Sequence, residues 1–138
     1  MKFTKYIFLI FSISLLSCSQ KTLTINSSEK RINYPGIASA SPFVGYEISF
    51  ESLYDFKIDK VELNDTNKIK EFSLYNEKTK SSISSANLLK KGKYTLSFKV
   101  KNIKGIDDTE KITIYILSND KVEKKTANII TKAPFRAR

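Results

Sequence analysis

The sequence contains no histidine and no tryptophan, and Cys18 is the single cysteine among its 138 residues. Each absence closes off a chemistry. Without histidine, the usual general base near neutral pH and the commonest metal ligand are both missing. A serine nucleophile would then need a lysine base, and no Ser-x-x-Lys stands in a helical context. One cysteine cannot form an intramolecular disulfide, so stability has to come from packing. Without tryptophan, a sugar-stacking surface would fall to outward-facing tyrosines such as Tyr54, Tyr75 and Tyr115. No cofactor, no metal site and no enzymatic activity are expected.

The acidic residues do little to reverse this. Glu47/Glu51 and Asp55/Asp59 are carboxylate pairs in sequence, but on strands such pairs share one solvated face. Asn64-Asp65-Thr66-Asn67 and Asp107-Asp108-Thr109-Glu110 carry hard oxygen ligands of the kind that hold calcium. Both also lie between strands, where Asn and Asp bond the nearby backbone, and turn chemistry is the simpler account.

What is present is period two. Tyr46, Ile48 and Phe50 alternate with Glu47, Ser49 and Glu51. Phe56 and Ile58 give way to Val61 and Leu63 on the opposite parity, which predicts a bulge near Asp59-Lys60. Phe72 and Leu74, then Tyr94, Leu96, Phe98 and Val100, then Ile112, Ile114 and Ile116 continue the alternation. Asn119-Asp120 turns the chain into a last strand from Lys121 to about Ile130. Helical periodicity is nearly absent. The pattern predicts an all-β antiparallel domain of seven or eight strands, with a core of Ile48, Phe50, Leu74, Leu96, Phe98, Ile112, Ile114 and Ile116.

The segment Leu89-Lys90-Lys91-Gly92-Lys93-Tyr94-Thr95-Leu96-Ser97-Phe98-Lys99-Val100-Lys101-Asn102 resembles the penultimate strand of immunoglobulin-like domains, such as the PKD and bacterial Ig-like families. The resemblance implies a single antiparallel immunoglobulin-like β-sandwich, with Ile112–Ile116 as the last strand. It also implies that the Tyr94 hydroxyl reaches back to the corner backbone, the tyrosine corner. Residues 121–130 then add a strand beyond the expected end.

Lys2 and Lys5 precede an apolar run from Tyr6 to Leu16, and Leu15-Leu16-Ser17-Cys18 closes it, an arrangement that resembles the lipobox of bacterial lipoproteins. The run is short for a membrane span. The resemblance implies cleavage before Cys18, a diacylglyceryl group on its thiol, and anchoring by two or three acyl chains. The chain divides accordingly into a signal peptide over 1–17, lipidated Cys18 with a tether over 18–30, a sandwich over 31–130 and a basic tail over 131–138. Leu23 and Ile25 alternate with threonines, so part of the tether has an edge strand as its alternative reading. The mature chain is about 120 residues, one small domain. Ser19 after the cysteine, with no acidic run following, favours the outer membrane and a domain that faces the periplasm.

Between Glu77 and Asp107 stand Lys78, Lys80, Lys90, Lys91, Lys93, Lys99, Lys101 and Lys104, with no acid among them. Strand parity puts Lys93, Lys99 and Lys101 on one outward face, with Lys90 and Lys91 at its start. Such a face attracts an anionic partner, either an envelope polymer or headgroup or an acidic protein; solvated, edge-protecting lysines are the plainer account. Nucleic acid does not suit an exported, tethered domain. The expectation is a non-catalytic envelope lipoprotein acting as a binding or structural module. An inhibitor or immunity-type lipoprotein that caps an enzyme or toxin is the alternative.

Overall fold

The period-two runs form strands because alternate side chains can then be buried on one face while the backbone pairs sideways. The computed structural model describes residues 22–85, 87–101 and 109–137. The expected signal peptide, Cys18, Lys104 and the Asp107-Asp108 pair lie outside the described residues. Eleven strands follow in order: β1 (Leu23–Tyr34), β2 (Phe43–Ser52), β3 (Lys57–Leu63), β4 (Asn67–Lys68), β5 (Ser73–Asn76), β6 (Ser81–Ile83), β7 (Gly92–Val100), β8 (Lys111–Ser118), β9 (Lys121–Asn128), β10 (Ile130–Thr131) and β11 (Phe135–Arg136). No helix occurs among the described residues.

The strands build two packed sheets. One runs β10-β1-β2-β7-β5-β6 with β11 also against β1, and the other runs β4-β3-β8-β9. In a constant-type immunoglobulin sandwich the first, second, fifth and fourth strands share one sheet, and the third, sixth and seventh share the other. Here β1, β2, β7 and β5 take the first set of places, and β3, β8 and β9 the second.

All eight expected core residues are buried, with Ile48, Phe50, Leu96, Ile112, Ile114 and Ile116 at 0% exposure. Phe56, Val61, Leu89 and Tyr94 join them. Each large apolar side chain so buried stabilises the fold by about 1.5–3 kcal/mol relative to exposure. The bulge stands where parity predicted it. Pairing with β8 slips between Ile58 and Lys60, so Ile58 and Val61 both face inward and Asp59 and Lys60 both stay outside. Asn119 and Asp120 are both left-handed, with φ of 51° and 60°, the conformation of a two-residue hairpin turn that matches strand twist.

Three expectations are corrected. The sandwich begins at Leu23, not at residue 31: most of the expected tether is the first half of β1, whose residues 23–33 pair with β2 and whose Leu23, Ser28 and Lys30 are buried. The Tyr94 segment is not the penultimate strand, because β9 pairs along the whole of β8 and makes β8 penultimate. β7 lies instead in the other sheet, between β2 and β5. The basic tail does not lie wholly outside the sandwich either. Ile129 is buried where the chain crosses between sheets, and residues 130–131 and 135–136 then run parallel to β1, so the larger sheet is not purely antiparallel.

Candidate functional site

On β7, Tyr94, Leu96 and Phe98 turn inward and Lys93, Thr95, Ser97 and Lys99 outward. Lys93 and Lys99 are six positions apart, hence about 20 Å along the strand. Neighbouring strands place carboxylates between them. Glu51 lies directly across from Lys93 and Glu47 across from Ser97. Glu77 accepts hydrogen bonds from the Ser49 hydroxyl at 3.1 Å and the Thr95 hydroxyl at 3.2 Å. An interval free of acids in sequence is therefore not free of them in space.

The other sequence-predicted lysines are also engaged or spread out. Lys90 Nζ lies 3.2 Å from Asp55 Oδ2, and the Lys91 backbone N–H donates to Asp55 Oδ1 at 2.9 Å. These contacts, the backbone one foremost, hold the Asp55 carboxyl below the usual carboxylate range. Lys99 Nζ sits 4.7 Å above the Phe43 ring centre, a cation–π contact, and Lys101 is exposed just past β7. Lys99 and Lys101 do share a surface concavity of about 920 Å³, whose lining includes Gly45, Arg31 and Lys132. Glu29, Glu47 and Glu71 line it as well, and Lys132 already pairs with Glu29 at 3.1 Å. Its charge is mixed.

A second concavity, of about 520 Å³, lies between β3 and residues 68–72. Lys57, Lys60, Lys68 and Lys70 line it with Phe72, and Asp59 is its one acid. The bulge in β3 keeps Lys60 on the outside. Lys60 Nζ meets Glu62 at 2.8 Å and the Tyr115 ring at 4.2 Å; the hydrogen bond to Glu62 raises the Lys60 pKa and lowers that of Glu62. Lys57, Lys68 and Lys70 are exposed. Sequence reading missed this group because Asp59, Glu62, Asp65 and Glu71 alternate with its lysines along the chain; the signal lies only in the pairing of β3 with its neighbours.

Comparison of the chain with family models, curated proteins and solved structures finds no match.

The Tyr94 hydroxyl donates to the Lys90 carbonyl at 2.6 Å, which is the corner bond the sequence led us to expect. Burial raises the phenol's pKa. At the far end of the sandwich, Lys30 points inward and its Nζ meets Glu110 Oε2 at 2.8 Å, with side-chain exposures of 1% and 12%. The Tyr46 hydroxyl donates to the same carboxylate oxygen at 2.9 Å. Burial, then the bond to Glu110 and its charge, push the Tyr46 phenol far above its ordinary value.

The loop oxygens are spent on structure. Asn64 Oδ1 accepts the Lys111 N–H at 2.8 Å and Asp65 Oδ1 the Thr113 hydroxyl at 3.3 Å. Among the described residues no group of three or more His, Cys, Asp or Glu is placed to hold a metal ion. Glu47 and Glu51, four positions apart on β2, stand about 13 Å from one another along the strand, beyond the carboxylate spacings of glycoside hydrolysis.

Proposed function

We propose that the protein is a non-catalytic lipoprotein of the bacterial envelope, anchored through lipid on Cys18, that holds out a sandwich domain to bind an anionic envelope partner. The lipobox supports the anchor, and Ser19 after it supports the outer membrane with the domain facing the periplasm. The lysine-lined concavity beside β3 carries the binding reading. There Lys57, Lys68 and Lys70 stand exposed around Ile69 and Phe72, with Asp59 the one acid in the lining and Lys60 already paired with Glu62, an arrangement that favours a negatively charged polymer or protein surface.

The test is affinity capture of the lipidated protein from its own envelope. Replacing Lys57, Lys68 and Lys70 by Glu should abolish retention of the partner, because all three are exposed and their loss leaves the core intact. Wild-type retention should fade as salt shortens the Debye length from about 10 Å to about 3 Å. A parallel triple replacement of Lys93, Lys99 and Lys101 by Glu should act more weakly, since acids already intersperse those lysines. Equal capture by wild type and both variants at every salt concentration removes the binding reading. Incorporation of a fatty-acid analogue should vanish in Cys18→Ala, and incorporation that persists removes the lipoprotein reading.

A further inference from the structure

We propose that the end of the sandwich from which the Cys18 tether leaves is itself a membrane-docking surface, seated on the bilayer that holds the lipid. The inference rests on the lipoprotein reading and adds an orientation to it.

Register fixes which loops share that end. Leu23 at the start of β1 pairs with Ser52, Ser52 with Gly92, and Lys57 with Leu117. The β2–β3 loop, the segment before β7 and the β8–β9 turn therefore lie together there. Leu53, Tyr54 and Leu88 project from these loops with exposures of 52%, 41% and 67%. Leu117 and Val122, partners across β8 and β9, add two more exposed apolar side chains beside them.

Their exposure is not loop laxity. Phe56 and Leu89, both buried, exchange backbone hydrogen bonds of 2.9 and 2.7 Å. The Ser52 hydroxyl donates to the Tyr54 carbonyl at 2.7 Å, and the Ser118 hydroxyl to the Asp55 carbonyl at 3.0 Å. The frame is rigid and what it presents is apolar.

The tether supplies the occupant. The Leu53 N–H bonds the Thr22 carbonyl at 2.9 Å, so the chain is fixed to this end at Thr22, four residues from Cys18. Even fully extended, that segment spans no more than about 14 Å. A lipid on Cys18 keeps this end, and not the opposite one, against the headgroups. Exposed Lys90, Lys91 and Lys121 border the apolar tip. Asp55 and Asp120 are the acids on these loops, and Asp55 is already held by Lys90 and Lys91. Leucines for the acyl boundary, a tyrosine for the interface and lysines for anionic headgroups are what such a surface uses.

The test uses the mature lipidated protein in vesicles of phosphatidylethanolamine and phosphatidylglycerol that carry a lipid-borne quencher. An environment-sensitive fluorophore is placed at Leu53→Cys, at Leu88→Cys, or at Ile37→Cys near the opposite end. The labels at 53 and 88 should shift to the blue and be quenched several-fold more than the label at 37. A label at Val122→Cys should lose its quenching when Leu53 and Leu88 are both replaced by Asp, while the protein still floats with the vesicles. Labels at 53 and 88 no better quenched than the one at 37, in protein that floats, overturn the docking surface alone. A mature chain that lacks the Cys18 lipid by mass and does not float overturns both the docking surface and the anchor.

Discussion

At the end of the sandwich where β1 begins, Phe50, Phe56 and Tyr94 meet ring against ring, at centroid distances of 5.9, 5.9 and 5.3 Å, and fill the space between the sheets with apolar volume. At the opposite end the same space holds Lys30, Glu110 and Tyr46, with Tyr46 stacked on Phe98 at 4.6 Å. Aromatic packing draws its stability from area removed from water and tolerates small shifts. A buried ion pair gains little over an apolar replacement, yet losing one partner strands the other charge. The apolar end thus supplies stability, and the charged end ties β1 to the start of β8 through one ion pair.

The largest effect should come from splitting the pair. Glu110→Leu should lower unfolding free energy by about 3–5 kcal/mol, because Lys30 is left charged and buried. Adding Lys30→Met should return most of that loss in urea titrations. A double variant as unstable as the single one would show that charge is not what matters at this end.

In the middle of the sandwich, Leu96→Ala should cost about 2–5 kcal/mol through lost contact and a residual cavity. Its effect should be insensitive to pH, unlike changes in the charged cluster.

The two tyrosine hydroxyls sharpen the contrast further. Tyr46→Phe removes a bond to a carboxylate and should cost about 2 kcal/mol. Because the phenol is raised above its ordinary 10.0 by burial and by Glu110, its contribution is complete below that pH and declines as pH rises past it. The alkaline fall in stability should therefore be shallower in Tyr46→Phe than in wild type. Unfolding curves from pH 9 upward, about one unit below the tyrosine value, would show parallel slopes if Tyr46 were not coupled to folding. Smallest of all, Tyr94→Phe removes a bond to a backbone carbonyl and should cost about 1 kcal/mol, with the fold retained because the ring stays in place. A cost equal to that of Thr95→Ala would mean that the corner bond adds nothing.

Alternation made the core legible residue by residue: Ile48, Phe50, Leu96 and the three isoleucines of β8 had only one face to bury. The bulge at Asp59-Lys60 was legible because a change of parity admits no regular strand. Gly92 before Tyr94 announced the corner bond, although not the sheet that holds it. Lys30 could not be read. A lysine among polar residues looks solvated, and the glutamate that meets it in the interior stands 80 positions away. The setting of the lysine face was equally illegible, since Glu47 and Glu51 come to it from β2 and Glu77 from the turn after β5.

The position of β10 and β11 sets an order in time. One edge of β1 is paired with β2, its neighbour along the chain, and the other, within residues 29–34, with residues 130–136. A chain threaded through a membrane from its amino end delivers β1 first and the strip that covers its edge last. Until then β1 offers a row of unpaired backbone groups to any passing strand. On the lipoprotein reading proposed above, export leaves a window in which the lipid has reached the bilayer while the flank of β1 is still open.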